Sequence, residues 1–221
     1  MKRLEFEKSK GASDLLAYYV HRPLENRIVA RLMNTKVTPN QITVLTNIVA
    51  YIVAAFYLFG FLLAGSILSF VVGLMDGLDG KLARAKDQTT ELGKMEHAFD
   101  LLFEFSWLLS LALFLNRSSG EALPLILCLF SILFISFYRY CYDTFSRAMN
   151  TSLDIYGGFE RIFRRIAGRR NLYNIHILAG VLCGVPLYSL VSIAVHAGLT
   201  AAVYAWRTAK HLHEADRQTR D

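Results

Sequence analysis

The stretch GLMDGLDGKLARAKDQTTELGKMEHAFD, residues 73–100, decides the reading of this chain. It lies between hydrophobic runs and sets Asp76, Asp79, Arg84, Glu96 and Asp100 at their ends. Charged side chains at membrane depth are expensive, and those that persist there mark function. The flanking runs must therefore be judged as spans first, and the acids as a site second.

Of the 221 residues, 54% are hydrophobic and 19% charged. That is too apolar for an ordinary soluble domain and normal for a membrane protein with short loops. Six segments approach the roughly 20 apolar residues that cross a bilayer as helix: about Ile42 to Leu63, Leu62 to Leu74 beyond Gly60, Leu101 to Leu115, Leu123 to Phe137, Leu172 to Val185 and Leu187 to Trp206. The expected fold is all-α, a polytopic membrane protein of six transmembrane helices preceded by an interfacial amphipathic helix. Residues 1–13 read as a tail, 14–36 as the interfacial helix, 37–210 as the membrane domain and 211–221 as a second tail.

With six spans, both termini share one side. On that side fall Lys2, Arg3, Arg22, Arg27, Arg31, Lys36, Lys81, Arg84, Lys86, Lys94, the arginines from Arg139 to Arg170 and the basic C-terminus, while Arg117 alone falls in an outer loop. The positive-inside rule puts termini and residues 73–100 at the cytoplasmic face of a cytoplasmic membrane. The excess of basic residues reads as topology and contact with anionic membrane lipids; no aromatic–basic interleave points to nucleic acid. The N-terminus lacks the apolar stretch of a cleavable signal peptide. Cys128, Cys141 and Cys183 have neither disulfide nor zinc spacing and read as small buried apolar residues.

Between residues 14 and 36, Leu15, Leu16, Tyr19, Val20, Ile28, Val29 and Leu32 recur at helical spacing beside Arg22, Arg27 and Arg31, with Pro23 set to bend or divide the helix. The first span opens on TPNQIT, with Thr38 as cap and Pro39 just inside; Asn40 and Thr43 then sit at its mouth, as capping residues or as substrate contacts. Residues 143–171 form the long polar insertion. It is broken at Gly157-Gly158 and followed by a short basic helix ending near Gly168. Arg161, Arg164, Arg165, Arg169 and Arg170 either snorkel to headgroups or turn one or two guanidiniums inward onto a phosphate.

Asp76 and Asp79, three apart, share a helix face that Gly80 and Ala83 continue, leaving a ligand room to approach the backbone, with Arg84 a turn further on. Glu96 and Asp100, four apart, share a face of the next helix. Four carboxylates cannot sit unpaired in a low-dielectric groove. All-oxygen ligation calls for hard divalent cations, Mg²⁺, Mn²⁺ or Ca²⁺ rather than zinc, with Mg²⁺ or Mn²⁺ expected and two able to clamp a diphosphate.

As it stands, DGLDGKLAR followed by an acid pair about twenty residues on resembles the signature of the CDP-alcohol phosphotransferase (CDP-alcohol phosphatidyltransferase) family. The resemblance covers about residues 14–210. It implies transfer of a substituted phosphate from a CDP-alcohol donor, such as a CDP-linked lipid, to an acceptor hydroxyl, with release of CMP. By position it makes Asp76 and Asp79 metal ligands. It sets Gly80, Arg84 and a threonine of the Thr89-Thr90 pair against the cytidine diphosphate, with Asn40 and Thr43 nearby. The last acid is the general base that also helps hold metal, and the family implies a homodimer.

The second half departs from the pattern. Gly93 fits the spacing from Arg84, but the acids then due at 97 and 101 are His97 and Leu101. A connecting loop one residue shorter restores the register with Glu96 and Asp100, the preferred pair, and leaves Asp100 as base. A longer loop would use Asp100 and Glu104. His97 is a donor to the site or a bystander. Arg139, which ends a predicted span and faces the bundle interior in this reading, is expected with Arg164 and Arg169 to bind a phosphorylated acceptor such as inositol phosphate or glycerol phosphate. The rival readings are a prenyltransferase, a cation-coupled transporter with acids at the bilayer midplane, and an inactive metal- or nucleotide-binding member.

Overall fold

A computed structural model describes residues 15–88 and 95–218, the side chain of Glu96 excepted; Thr89 and Thr90 lie outside that set. The described residues form helices and no strand. A π-helical turn, Ala17–His21, runs into α1, Arg22–Leu32, with Pro23 in its first turn. Proline lacks the N–H that would continue the hydrogen-bond ladder, and it stands where the helix geometry changes.

α2 spans Pro39–Leu58. Thr38 Oγ1 accepts from the Gln41 backbone N–H at 3.3 Å, and Gln41 Oε1 accepts from the Thr38 N–H at 3.0 Å. This reciprocal capping box, with Pro39 at the first helical position, fixes the helix start. Gly60, at φ 85°, turns the chain into α3, Leu62–Ala85. α4 spans Glu96–Ser119 and α5 spans Leu123–Met149, ended by Asn150 in the left-handed region at φ 50°. The polar insertion holds α6, Leu153–Tyr156, and α7, Gly158–Phe163. α8 spans Arg170–Leu182 and α9 spans Pro186–Gln218. The basic helix expected to end near Gly168 stops at Phe163, where the chain passes into tighter turns (Arg165 N–H to the Ile162 carbonyl, Ile166 N–H to the Phe163 carbonyl), and Arg164 pairs with Asp154 at 3.2 Å.

α2 packs on α3 and α4, α5 on α4 and α9, and α8 on α3 and α9. The interior joins large side chains (Tyr57, Phe103, Trp107, Tyr173) to small ones (Ala50, Ser66, Ser69, Ala112, Ala197, Ala201). Small residues let helices approach closely where lipid offers no hydrophobic driving force. Trp107 Nε1 donates to the Ala50 carbonyl at 2.7 Å, so its buried donor is satisfied. Outward faces are apolar, as with Val44, Leu45, Ile48 and Ile52 on α2 and Leu129, Phe130, Leu133 and Phe137 on α5.

Among the described residues, five helices, α2, α3, α4 (His97–Ser119), α5 and α9, are long and apolar enough to cross a membrane. Six spans were expected. The remaining segment, about Leu172 to Val185, is α8, which has 13 residues, about 20 Å at 1.5 Å per residue, against a hydrocarbon core of about 30 Å. Its register explains the length. Arg170 meets Asp76 and the Asn174 side chain reaches the Ser69 carbonyl, so α8 runs antiparallel to the apolar half of α3 and begins at the depth of the acids.

At the end of the bundle where α3 finishes, α1 docks through Val29, which packs with Ile42, Leu78 and Leu82. Its Glu25 lies on Gly77 of α3, while His21 of the π-helical turn and Asn171 of α8 lie on Gly73. A Cβ at Gly77 would fall 2.2 Å from the Glu25 carboxylate, so the bare helix surface there admits the Glu25 side chain. Lys81 Nζ then meets Glu25 at 2.8 Å and Asn26 Oδ1 at 2.7 Å. Lys86 Nζ donates to the carbonyls of Thr35 and Val37, tying the α1–α2 loop to the end of α3.

Candidate active site

Asp79 is 3% exposed. Thr43 of α2 donates its hydroxyl to Asp79 Oδ2 at 2.7 Å, and the Gly80 backbone N–H lies 2.6 Å from Oδ1. Asp76, one turn earlier on α3, accepts from Arg170 Nη2. Arg170 Nη1 lies 3.5 Å from Asp100 Oδ1, and the guanidinium carbon sits 4.6 Å from the centroid of the Phe103 ring. Three helices thus meet: α3 supplies Asp76 and Asp79, α4 supplies Asp100, and α8 supplies Arg170. One turn beyond Asp100, Glu104 is buried and pairs with Arg139 of α5. His97 Nδ1 is 3.9 Å from Asp100 Oδ2.

Of these six groups, four are carboxylates and two are guanidiniums, which leaves a formal charge of −2. The donor atoms are oxygens only, the set that suits Mg²⁺ or Mn²⁺. Among the described residues, no three His, Cys, Asp or Glu side chains close around an ion as they stand. Arg170 lies between Asp76 and Asp100, while Thr43 and Gly80 hold Asp79. In charge and donor type the residues fit hard divalent cations, which Asp76, Asp79 and Asp100 could hold.

The remaining expected residues are dispersed. Thr43 turns to Asp79, whereas Asn40 is exposed on the α2 face of Val44, Leu45 and Ile48. Gly80 and Ala83 are half-buried and Arg84 is exposed, along α3 beyond Asp79. Arg139 faces Glu104. Arg164 is buried against Asp154 with its guanidinium 5.6 Å from the Tyr142 ring centroid, so the structure does not bring it to the acids. Arg169 is half-buried at the N-cap of α8. Thr89, Thr90 and the Glu96 side chain lie outside the described residues.

Arg170, not Arg169, is the guanidinium at the acids. Adjacent helical positions point about 100° apart, and nothing in GRRN separates the two before the start of α8 is known. A second buried network also went unseen: Glu160 of α7 meets Arg207 and His211 of α9, the last at 2.7 Å.

An all-helical bundle with apolar outer faces and paired acids at one end defines a class of membrane protein, and the match is specific: through residues 36–157 the chain belongs to the CDP-alcohol phosphatidyltransferase family. It is a multi-pass membrane protein. It is 32% identical over 146 residues to the bifunctional IPC transferase and DIPP synthase of Aquifex aeolicus, covering 62% of this chain and 33% of that protein. It is 38% identical over 96 residues to the archaetidylinositol phosphate synthase of Pyrococcus horikoshii, covering 42% of this chain and 50% of that one. These alignments thus span a third to a half of the relatives' length.

Phosphatidylinositol phosphate synthase of Mycobacterium tuberculosis shares the fold. Its structure with CDP-DAG bound aligns at a TM-score of 0.62 and 20% identity, covering 86% of this chain and 92% of that one. Its complex with manganese and citrate aligns at 0.65 and 20%, covering 83% and 88%.

Proposed function

We propose that this chain moves a substituted phosphate group from a CDP-alcohol donor, such as CDP-diacylglycerol, to an acceptor hydroxyl and releases CMP at the cytoplasmic face of the membrane. The observation that carries the proposal is the approach of Asp76 on α3 to Asp100 on α4 around one guanidinium, with Asp79 one turn along α3, inside the family's matched region. Bound at Asp76, Asp79 and Asp100, with Glu96 as a further ligand, two divalent cations would offset the diphosphate charge and stabilise the leaving CMP.

The chain's own residues supply the rest. Gly80 and Ala83 leave room for the cytidine against α3, and Arg84 with Thr89 or Thr90 contacts it; Asn40 lies at the donor's approach along α2. Asp100 accepts the proton of the acceptor hydroxyl as its oxygen bonds to the phosphorus that carries the alcohol. The bond from that phosphorus to the CMP oxygen breaks. Thr43 holds Asp79 in place for the donor. Arg139 and Arg169 line the acceptor side, and Arg164, through Asp154 and Tyr142, holds the 150–169 segment beside them. An acceptor bearing its own phosphate matches these guanidiniums. Two similar proteins are named for inositol phosphate lipids, which puts inositol phosphate first among acceptors to try.

The test is CMP release by the purified protein with Mg²⁺ or Mn²⁺, pairing CDP-donors with inositol phosphate, glycerol phosphate, inositol and serine. Release is expected only with donor, acceptor and cation together. No release with any pairing, from protein shown to be folded, sinks the proposal.

A further inference from the structure

Arg170 occupies an unusual position. Its guanidinium bridges Asp76 of α3 and Asp100 of α4 and stacks on Phe103. Its side chain is 12% exposed, against 22% for Asp76 and 16% for Asp100. Without a cation between them, the two carboxylates would repel at close range in a poorly solvated groove. Guanidinium is always charged and offers a fork of donors, so it can neutralise both acids at once.

Only the tip of this side chain is tied down. Arg170 Nε is buried and has no hydrogen-bond partner among the described residues. The backbone leading to it is clamped. Tyr138 donates to the Gly168 carbonyl at 2.8 Å, the Gly168 N–H donates to Thr200 Oγ1 at 2.8 Å, and His196 Nε2 meets the Ile166 carbonyl at 2.7 Å. Exchange at the acids therefore needs no more than rotation of the Arg170 side chain beyond this clamped stretch.

We propose that the Arg170 guanidinium is the resting counter-cation of the acid cluster: it holds the place between Asp76 and Asp100 in the metal-free protein and gives way when a divalent cation binds. This rests on the reading of Asp76 and Asp100 as metal holders. The reason for exclusion is electrostatic. Two cations cannot share one gap between two carboxylates without mutual repulsion in low dielectric. The arginine thus lowers the apparent metal affinity while it neutralises Asp76 and Asp100.

The experiment is Mn²⁺ binding to the full chain in detergent, followed by calorimetry and by the free-ion paramagnetic resonance signal, with the melting midpoint measured with and without Mn²⁺. Arg170→Gln should bind Mn²⁺ more tightly by on the order of tenfold, the usual scale of coupling between two competing events. Its metal-free midpoint should fall, and saturating Mn²⁺ should raise it more than it raises the wild type. A purely structural arginine would lower Mn²⁺ affinity when removed. Arg170→Lys keeps the charge but loses the fork, and should fall between; it carries the test alone if Arg170→Gln does not fold. Wild-type binding with no tightening in the variant overturns the counter-cation and leaves the metal reading standing. Absence of Mn²⁺ binding in wild type and variant alike overturns both.

Discussion

Thr43 Oγ1 on α2 donates to Asp79 Oδ2 on α3 at 2.7 Å, and this bond is where the first span is fastened to the acids. Thr43 also lies 3.3 Å from the Pro39 carbonyl, so the hydroxyl is held from its own helix as well. Thr43→Val keeps the shape and removes the donor. A hydrogen bond to a charged group is worth about 1.5–3 kcal/mol, and the variant should lose that much stability in denaturant unfolding together with part of its cation-dependent CMP release. A variant equal to wild type on both counts would show that Asp79 needs no support from α2.

Asp100→Asn should abolish transfer while the protein stays folded and keeps its elution volume. The substitution removes the proton acceptor without changing size. Cation-dependent CMP release that survives it would take Asp100 out of the base role.

The two acid pairs open to this sequence are separable by experiment. Glu104 is buried against Arg139, and Glu104→Gln leaves a guanidinium short of its partner. Breaking a fully buried pair costs about 3–5 kcal/mol. Arg139 is 35% exposed, so water screens part of it and a loss below that range, about 1–3 kcal/mol, is expected. Glu96→Gln should instead leave stability unchanged and weaken Mn²⁺ binding. The opposite pattern, with Glu104→Gln stable but unable to bind Mn²⁺, would move the ligand pair to Asp100 and Glu104.

Gly60→Ala tests the α2–α3 hairpin. The residue sits at φ 85°, and a Cβ there would lie 2.5 Å from Cε2 of Phe114. Left-handed backbone strain and displacement of a packed ring together should cost about 1–3 kcal/mol, read as a lower thermal midpoint. An unchanged midpoint would mean that the Phe114 ring moves freely.

Glu160 supplies a pH prediction. Burial pushes its carboxyl upward, but hydrogen bonds from Arg207 and His211 outweigh that and hold it below the ordinary carboxylate value. A group whose pKa is lower folded than unfolded contributes fully above the unfolded value, about 4.3 for glutamate. The contribution fades as pH falls through the folded value. The wild type should therefore lose stability as acid protonates Glu160, and Glu160→Gln should show a flatter profile from a lower plateau. Parallel profiles for the two proteins would exclude the pair as an acid-sensitive fastening.

The sequence by itself determined what local chemistry controls. The hydrophobic runs, the Thr38-Pro39 helix start and the shared face of Asp76 and Asp79 all depend on residues within a few positions of one another, and such patterns can be read directly. The length of α8 could not be read that way, because an apolar run looks alike whether it crosses the membrane or begins at the depth of Arg170. Nor could the choice between Arg169 and Arg170. The partner of Arg170 is Asp76, 94 residues away, and a one-residue change in where α8 starts would turn a different guanidinium toward it. Only the packing of α8 on α3 and α9 decides that rotation. The charges of the site were legible because their types and spacing are local, but which charge faces which depends on helix phase, and helix phase belongs to the tertiary structure.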